Sequence, residues 1–235
     1  MMKNIKRIIK TMFRVFGIDI KKINPAKYSW LKQYNIATVI DIGANTGQFA
    51  KFIHKELPSA NIISFEPISE CYNKLKKKMK SASNFQAFNY ALGDIDDSVE
   101  MKINNFTPSS SLLSIANLHI QTFPFTTEKS IRRVKVKRLD DIAESLDCKD
   151  NLLIKIDVQG YEDRVIKGGQ NIISSAKMLI IETSFQLLYK GQPMFEDIYD
   201  NIISMGFKYA GAFEQLRSPC NGSVLQADAI FIKKE

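Results

Sequence analysis

The feature that most constrains this chain is an alternation beginning at Thr38, in which a short β-branched run, a turn and a stretch of helical periodicity follow one another repeatedly. Strands are read at residues 38–42, 61–65, 85–89, 152–156 and 178–181, and helices near 46–56, 68–78, 161–168 and 195–205. Strands that alternate with helices build a mostly parallel sheet wrapped by helices on both faces, an α/β fold. After the third strand the alternation lapses. Residues 99–103 and 134–137 alternate like a hairpin, and the Ser/Thr-rich stretch 104–130 between them reads as an insertion, about 98–138, lying over the site as a lid. Residues 207–210 and 229–232 read as a final antiparallel pair joined by a loop over 213–228. No internal repeat and no Pro/Gly/Ser-rich linker splits the chain, so one domain is expected over 36–235, preceded by an extension over 1–35.

The charge is unevenly placed. The 235 residues carry a net charge of +8, and residues 1–35 hold nine basic residues and one acid, so the remainder is balanced. Within that extension Ile5, Ile8, Ile9, Met12, Phe13 and Phe16 recur at helical spacing while Lys3, Lys6, Arg7, Lys10 and Arg14 fall off the stripe. This is the pattern of a basic amphipathic helix ending near Gly17. It fits a helix packed on the domain, a helix over residues 1–18 lying on an anionic membrane surface, or a nucleic-acid contact. A neutral body argues against a nucleic-acid substrate, because phosphate binding needs a basic face beside the working site. Hydrophobic residues make up 45%, ordinary for a globular domain and contrary to disorder. The three cysteines, Cys71, Cys148 and Cys220, form no C-x-x-C, which excludes a disulfide scaffold and a four-cysteine zinc site. With no apolar run of about 18 residues, a cytoplasmic location is expected, with peripheral contact at the inner membrane surface through residues 1–18.

The strongest motif is Val39-Ile40-Asp41-Ile42-Gly43-Ala44-Asn45-Thr46-Gly47, a buried strand entering a glycine-bearing turn and then a helix. In an open α/β sheet ligands bind at the carboxyl ends of strands, and glycines there let backbone approach a ligand closely. Glu66 ends the next strand about 20 residues later, where an acid can hydrogen-bond both hydroxyls of a ribose. Together they indicate a nucleoside cofactor. A dinucleotide fingerprint needs G-x-G-x-x-G, whereas Gly43-x-x-x-Gly47 has Asn45 in the middle, so pyrophosphate is disfavoured. Asp41 instead suits a cofactor with a positive amine beside the loop, as S-adenosylmethionine has. The plain alternative is that Asp41 caps the turn and Glu66 caps a helix.

In the order Asp41-Ile-Gly-Ala-Asn45-x-Gly47, Phe65-Glu66-Pro67, Asn89-x-Ala91-Leu92-Gly93-Asp94, Lys155-Ile-Asp157-Val-Gln-Gly160-x-Glu162, Ile181-Glu182 and Asp228-x-Ile230-Phe231, the chain resembles the FkbM family of S-adenosylmethionine-dependent methyltransferases over most of residues 38–232. The resemblance implies a class I methyltransferase fold, a Rossmann-like seven-stranded sheet with an antiparallel last strand. It also implies O-methylation of a hydroxyl, often on sugars or polyketides, so a small-molecule or glycan acceptor is expected; the basic helix over 1–18 adds the expectation that the glycan is assembled at a membrane. Asp41, Gly43, Ala44, Asn45 and Gly47 would surround the methionine part of the cofactor. Glu66 and Pro67 would hold the ribose, and Asn89, Ala91 and Leu92 would line the adenine. Many relatives carry Glu where Gln159 stands, and the lost charge weakens any role that needs an ion there.

Asp157 and Glu182 end the fourth and fifth core strands and should open onto one cleft. They would act as general base for the acceptor hydroxyl or as ligands to a divalent cation such as Mg²⁺ that lowers its pKa. His119 is the better histidine for a base, because His54 falls inside the first helix beside Phe52 and Ile53. Ser109, Ser110 and Ser111 offer hydroxyls that could position the acceptor. Pro219-Cys220 resembles the nucleophile dipeptide of cytosine-C5 methyltransferases, but the acidic partner motif is missing. Two rival functions remain: an NAD-dependent oxidoreductase, disfavoured by the glycine spacing, and a binding protein that keeps the pocket without turnover.

Overall fold

The computed structural model describes residues 28–104, 107–124, 126, 128–146, 148 and 150–234. The basic amphipathic helix expected over 1–18 lies outside them. Seven strands form the main sheet: β1 (Thr38–Ile42), β2 (Asn61–Phe65), β3 (Phe85–Phe88), β7 (Leu152–Ile156), β8 (Met178–Ser184), β9 (Phe207–Arg217) and β10 (Val224–Lys233), in the order β3-β2-β1-β7-β8-β10-β9. All pairings up to β8 are parallel, and β10 is antiparallel to both β8 and β9. This is the mostly parallel α/β sheet with an antiparallel last strand that the sequence predicts.

Burial explains why these runs are strands. Every residue of β1 and of β7 is buried, the mark of central parallel strands covered on both faces, and both are rich in Ile, Leu and Val. Side chains alternate between two apolar clusters, one containing Ile40, Ile42, Ile154 and Ile156, the other Val39, Leu153 and Ile180. Helices α1 (Gln48–Glu56) and α2 (Ser69–Lys78) follow β1 and β2, and α7 (Phe195–Ser204) follows β8. Between lie α3 (Asn117–Thr122), α4 (Leu139–Ile142), α5 (Glu162–Gly168) and α6 (Gln170–Ser175). Apolar positions of α1, such as Ala50 and Ile53, enter the second cluster.

Three elements differ from the sequence reading. β8 runs three residues past Ile181, so Glu182 sits within the strand and is paired in register with Asp228 of β10. The last two strands reach Arg217 and Val224, leaving only residues 218–223 as their loop. β9 is the edge strand and most of its residues past Phe207 are exposed, so the sequence there lacks the alternation that marks a half-buried strand. The single turn Ser29–Tyr34, assigned above to the extension, packs on the domain: Leu31 is fully buried with Val39 and Ile53.

The insertion is a second small sheet. β4 (Ala91–Leu92) and β5 (Asp97–Asn104) flank β6 (Glu128–Lys137) in the order β4-β6-β5. The excursion from β5 is tied back to the main body, because Ala116 N–H donates to the Leu188 carbonyl and Lys190 N–H to that of Ser114, both at 2.8 Å.

Candidate active site

The strand order reverses between β1 and β7, and the crevice at their carboxyl ends is where an open sheet takes ligands. A cavity of about 590 Å³ opens there. Its floor is set by register. Asp41 lies opposite Ser64 on one side and Lys155 on the other, so a row of polar side chains crosses three otherwise apolar strands.

The turn after β1 is built for close approach. Gly43, Asn45 and Gly47 all have positive φ, at 82°, 47° and 79°. A Cβ on Gly43 would stand 1.9 Å from the Asp157 carbonyl oxygen, so the β1 and β7 turns touch backbone to backbone. Gly43→Ala is therefore expected to cost about 3 kcal/mol or more of folding stability, read as a lowered urea midpoint, and unchanged stability would refute the close contact.

Glu66 braces this turn. One carboxylate oxygen accepts Asn45 N–H and the other Ile68 N–H, both at 2.8 Å. The carboxylate ties together the turns after β1 and β2, without capping the first turn of α2, and it also lines the cavity. Burial pushes its carboxyl up to about 7. Asp41 is fully buried; Ser64 Oγ donates to one of its oxygens at 3.4 Å, and the other has no protein partner. Burial pushes this acid up to about 6, against the pull of Lys155. The side-chain oxygen of Asn45 is likewise buried and unpartnered.

On the β7 side Lys155 Nζ bonds Asp157 Oδ2 at 2.6 Å and lies 5.5 Å from the Phe49 ring centroid. Burial works against its charge, yet Asp157, Asp228 and Asp41 together hold its pKa above the ordinary lysine value. The Gln159 amide donates to Asp157 Oδ1 and to Glu182 Oε2, both at 2.8 Å, while its oxygen accepts the Tyr189 hydroxyl at 2.8 Å. Burial, followed by the charges of Asp157 and Glu162, raises Glu182 well above the usual carboxylate range. Glu162 accepts Val158 and Gly160 N–H, which fixes the turn after β7. Asp228, which faces Glu182, is pushed by burial to about 6.

Of the residues singled out from sequence, Asp41, Gly43, Ala44, Asn45, Glu66, Pro67, Ala91, Leu92, Ser109, Ser110, Asp157 and Glu182 all line this cavity. Gly47, Asn89, Ser111 and His119 do not. Gly47 packs under the turn against Leu75. Asn89 donates to the carbonyls of Glu66 and Pro67 and so latches the turn after β2 from outside. Ser111 Oγ donates to the Gln159 carbonyl at 2.6 Å, a positioning contact. His119 is buried edge-on against Phe123 and Tyr189, and burial lowers its pKa; both ring nitrogens lack protein partners. Cys220, in the 218–223 loop, is exposed and outside the cavity.

A divalent cation does not fit here. Where it would bridge Asp157 and Glu182 the Gln159 amide already donates to both, and the other Asp157 oxygen holds the Lys155 ammonium. Among the described residues no group of three or more acids, histidines or cysteines could hold a metal. Sequence reasoning missed Lys155 and Asp228 as site residues. A lysine inside the apolar run Leu152–Ile156 was the available signal.

The description "Methyltransferase FkbM domain" matches residues 41–209. The chain belongs to this FkbM methyltransferase family. As an FkbM methyltransferase it is similar to the 2-O-methyltransferase NoeI of Sinorhizobium fredii, 27% identical over 169 residues that cover 69% of each chain. It also resembles the hexuronic acid methyltransferase AglP of Haloferax volcanii, 26% identical over 60% of this chain and 54% of that protein. The chain thus spans about half to two thirds of these curated relatives. Among solved structures, an rRNA methylase from Streptococcus thermophilus is 7% identical with a TM-score of 0.48, covering 92% of this chain and all of that one. Among the described residues no helix is long and apolar enough to cross a membrane.

Proposed function

We propose that this methyltransferase uses S-adenosylmethionine to methylate a hydroxyl of a saccharide. One observation carries the cofactor reading: Asp41, fully buried at the foot of a positive-φ turn, keeps an unpartnered carboxylate oxygen beside the cavity. A buried acid without a partner is costly unless a ligand completes it. Bound S-adenosylmethionine supplies a methyl group on a positively charged sulfonium. Asp41 and the turn 43–45 would hold the methionine part, Glu66 the ribose, and Ala91 and Leu92 the base. In-line transfer needs chiefly alignment, so the acceptor hydroxyl requires only a modest base. Asp157, which lines the cavity with 29% of its side chain exposed, takes that role, oriented by Lys155 and Gln159. The two named relatives modify hydroxyls or sugars, which favours a saccharide, and an acid-lined cavity opposes a phosphate-rich acceptor.

The electrostatics predict a pH signature. Asp41, Asp228 and Glu66 have raised pKa values, so each retains a proton in the ligand-free cavity below about pH 6 to 7. A cationic ligand favours their ionised forms, hence its affinity falls at low pH and rises as pH passes through that window. Calorimetric titration should show S-adenosylmethionine tightening by up to about tenfold between about pH 5.5 and about 7.5, for one linked proton. S-adenosylhomocysteine lacks the sulfonium charge and should respond less, and NAD⁺ should not bind. Binding of NAD⁺ alone, or of none of the three, would sink the reading.

A further inference from the structure

The cavity has two chemically distinct ends. Near Glu66, Pro67, Ala91 and Leu92 it is shaped for a nucleoside. At the other end stand Tyr28, Phe49, Phe52 and Phe213, drawn from the first turn of the described chain, from α1 and from β9. These rings pack on one another, with centroids 4.7 Å apart for Tyr28–Phe52, 4.9 Å for Tyr28–Phe213 and 5.7 Å for Phe52–Phe213. All four are half-buried and line the cavity. Polar groups rim the wall. The Glu214 carboxylate accepts the Tyr28 hydroxyl at 3.1 Å, and Gln226 and Asp228 line the cavity beside it.

This wall also adjoins the reacting carboxylate. Lys155 touches both: its ammonium bonds Asp157 and approaches the Phe49 ring. The Phe49 end of the wall therefore lies next to the Lys155–Asp157 pair. Apolar ring surface flanked by carboxylate and amide acceptors and donors suits a molecule with apolar C–H faces and a hydroxylated perimeter, which is a pyranose ring. Among the described residues, the acids Asp41, Glu66, Asp157, Glu182, Glu214 and Asp228 line the cavity against one base, Lys155. An acceptor that brings its own negative charge meets repulsion from them.

We propose that the wall of Tyr28, Phe49, Phe52 and Phe213 beside Asp228 is the acceptor subsite, and that it takes an uncharged sugar ring and discriminates against a uronate. The inference rests on the methyl-transfer reading above. It also separates this chain from a relative whose name specifies a hexuronic acid.

Saturation-transfer NMR on the full chain, with S-adenosylhomocysteine present, tests it with methyl β-D-glucopyranoside and methyl β-D-glucuronide as probes. Ring C–H protons of the glucoside should receive saturation, and the glucuronide signal should be weaker by about tenfold. Phe213→Ala should remove the glucoside signal, as should Phe213→Leu, which keeps apolar bulk but loses the flat face, while both variants retain S-adenosylhomocysteine binding. Asp228→Asn should raise the glucuronide signal relative to the glucoside. Glucoside transfer that survives both Phe213 variants, equal signals from the two probes, or S-adenosylhomocysteine binding with no transfer to the glucoside would overturn the inference alone. Failure of S-adenosylhomocysteine to bind wild-type protein would overturn the methyl-transfer reading as well.

Discussion

Asp157→Asn is expected to lower kcat by about 10²- to 10⁴-fold, the range for loss of a positioned general base, while S-adenosylhomocysteine affinity stays within about twofold. The separation follows from where the carboxylate sits. Its backbone carbonyl packs against Gly43 and its backbone N–H donates to Ile42, contacts that the substitution preserves. The side chain is held between the Lys155 ammonium and the Gln159 amide, so its orientation is set before the acceptor arrives. Asparagine keeps the shape but not the basicity. Single-turnover rates and calorimetry on the same preparation check both halves, and wild-type turnover in the variant would refute the assignment. Because the Gln159 amide occupies the bridging position, the reaction in wild-type protein is also expected to be indifferent to chelators.

Lys155→Met is expected to have the largest effect on stability, about 3 to 5 kcal/mol, because it leaves buried acids without their counter-charge. In wild-type protein this ammonium faces Asp157, Asp228 and Asp41. The loss should depend on pH with a definite sign. Asp41 and Asp228 already have folded-state values near 6, above their values in the unfolded chain, so each stabilises the fold at low pH and that contribution is lost as pH rises through about 6. Removing the lysine raises those values further. The variant should therefore be closest to wild type near about pH 5 and fall away steadily toward about pH 8 in urea denaturation. A loss independent of pH would mean that Lys155 acts through packing, with its stem against Phe49, instead of through charge.

The glycine-turn end of the cavity was legible because its chemistry is local. Strand, turn and glycines lie within residues 38–47, and Glu66 follows from the next strand in the alternation. The aromatic end was not, since Tyr28 and Glu214 meet across 186 positions of sequence and neither carries a motif. Three of the expected residues that stand outside the cavity lining share one cause. Asn89, Ser111 and His119 were placed by their position after a strand or within the insertion, and position along the chain does not say which way a side chain turns. Asn89 turned to two backbone carbonyls, Ser111 to a third, and His119 into an aromatic cluster. Lys155 stands within a motif, but a strand buried on both faces gives no alternation by which to assign the side to which its ammonium turns.

The position of β10 between β8 and β9 has a consequence for biogenesis. This strand follows every other strand of the sheet in the chain, yet it occupies an interior place in it. Until β10 leaves the ribosome, the main-chain groups of β8 from Met178 to Ser184 face no partner on that side, and β9 has no neighbour at all in the sheet. The hairpin must dock as a unit, and Asp228 reaches Glu182 only then. Nascent chains stalled short of β10 therefore lack both a closed sheet and a complete cleft, so ligand capture reports on synthesis having passed that strand.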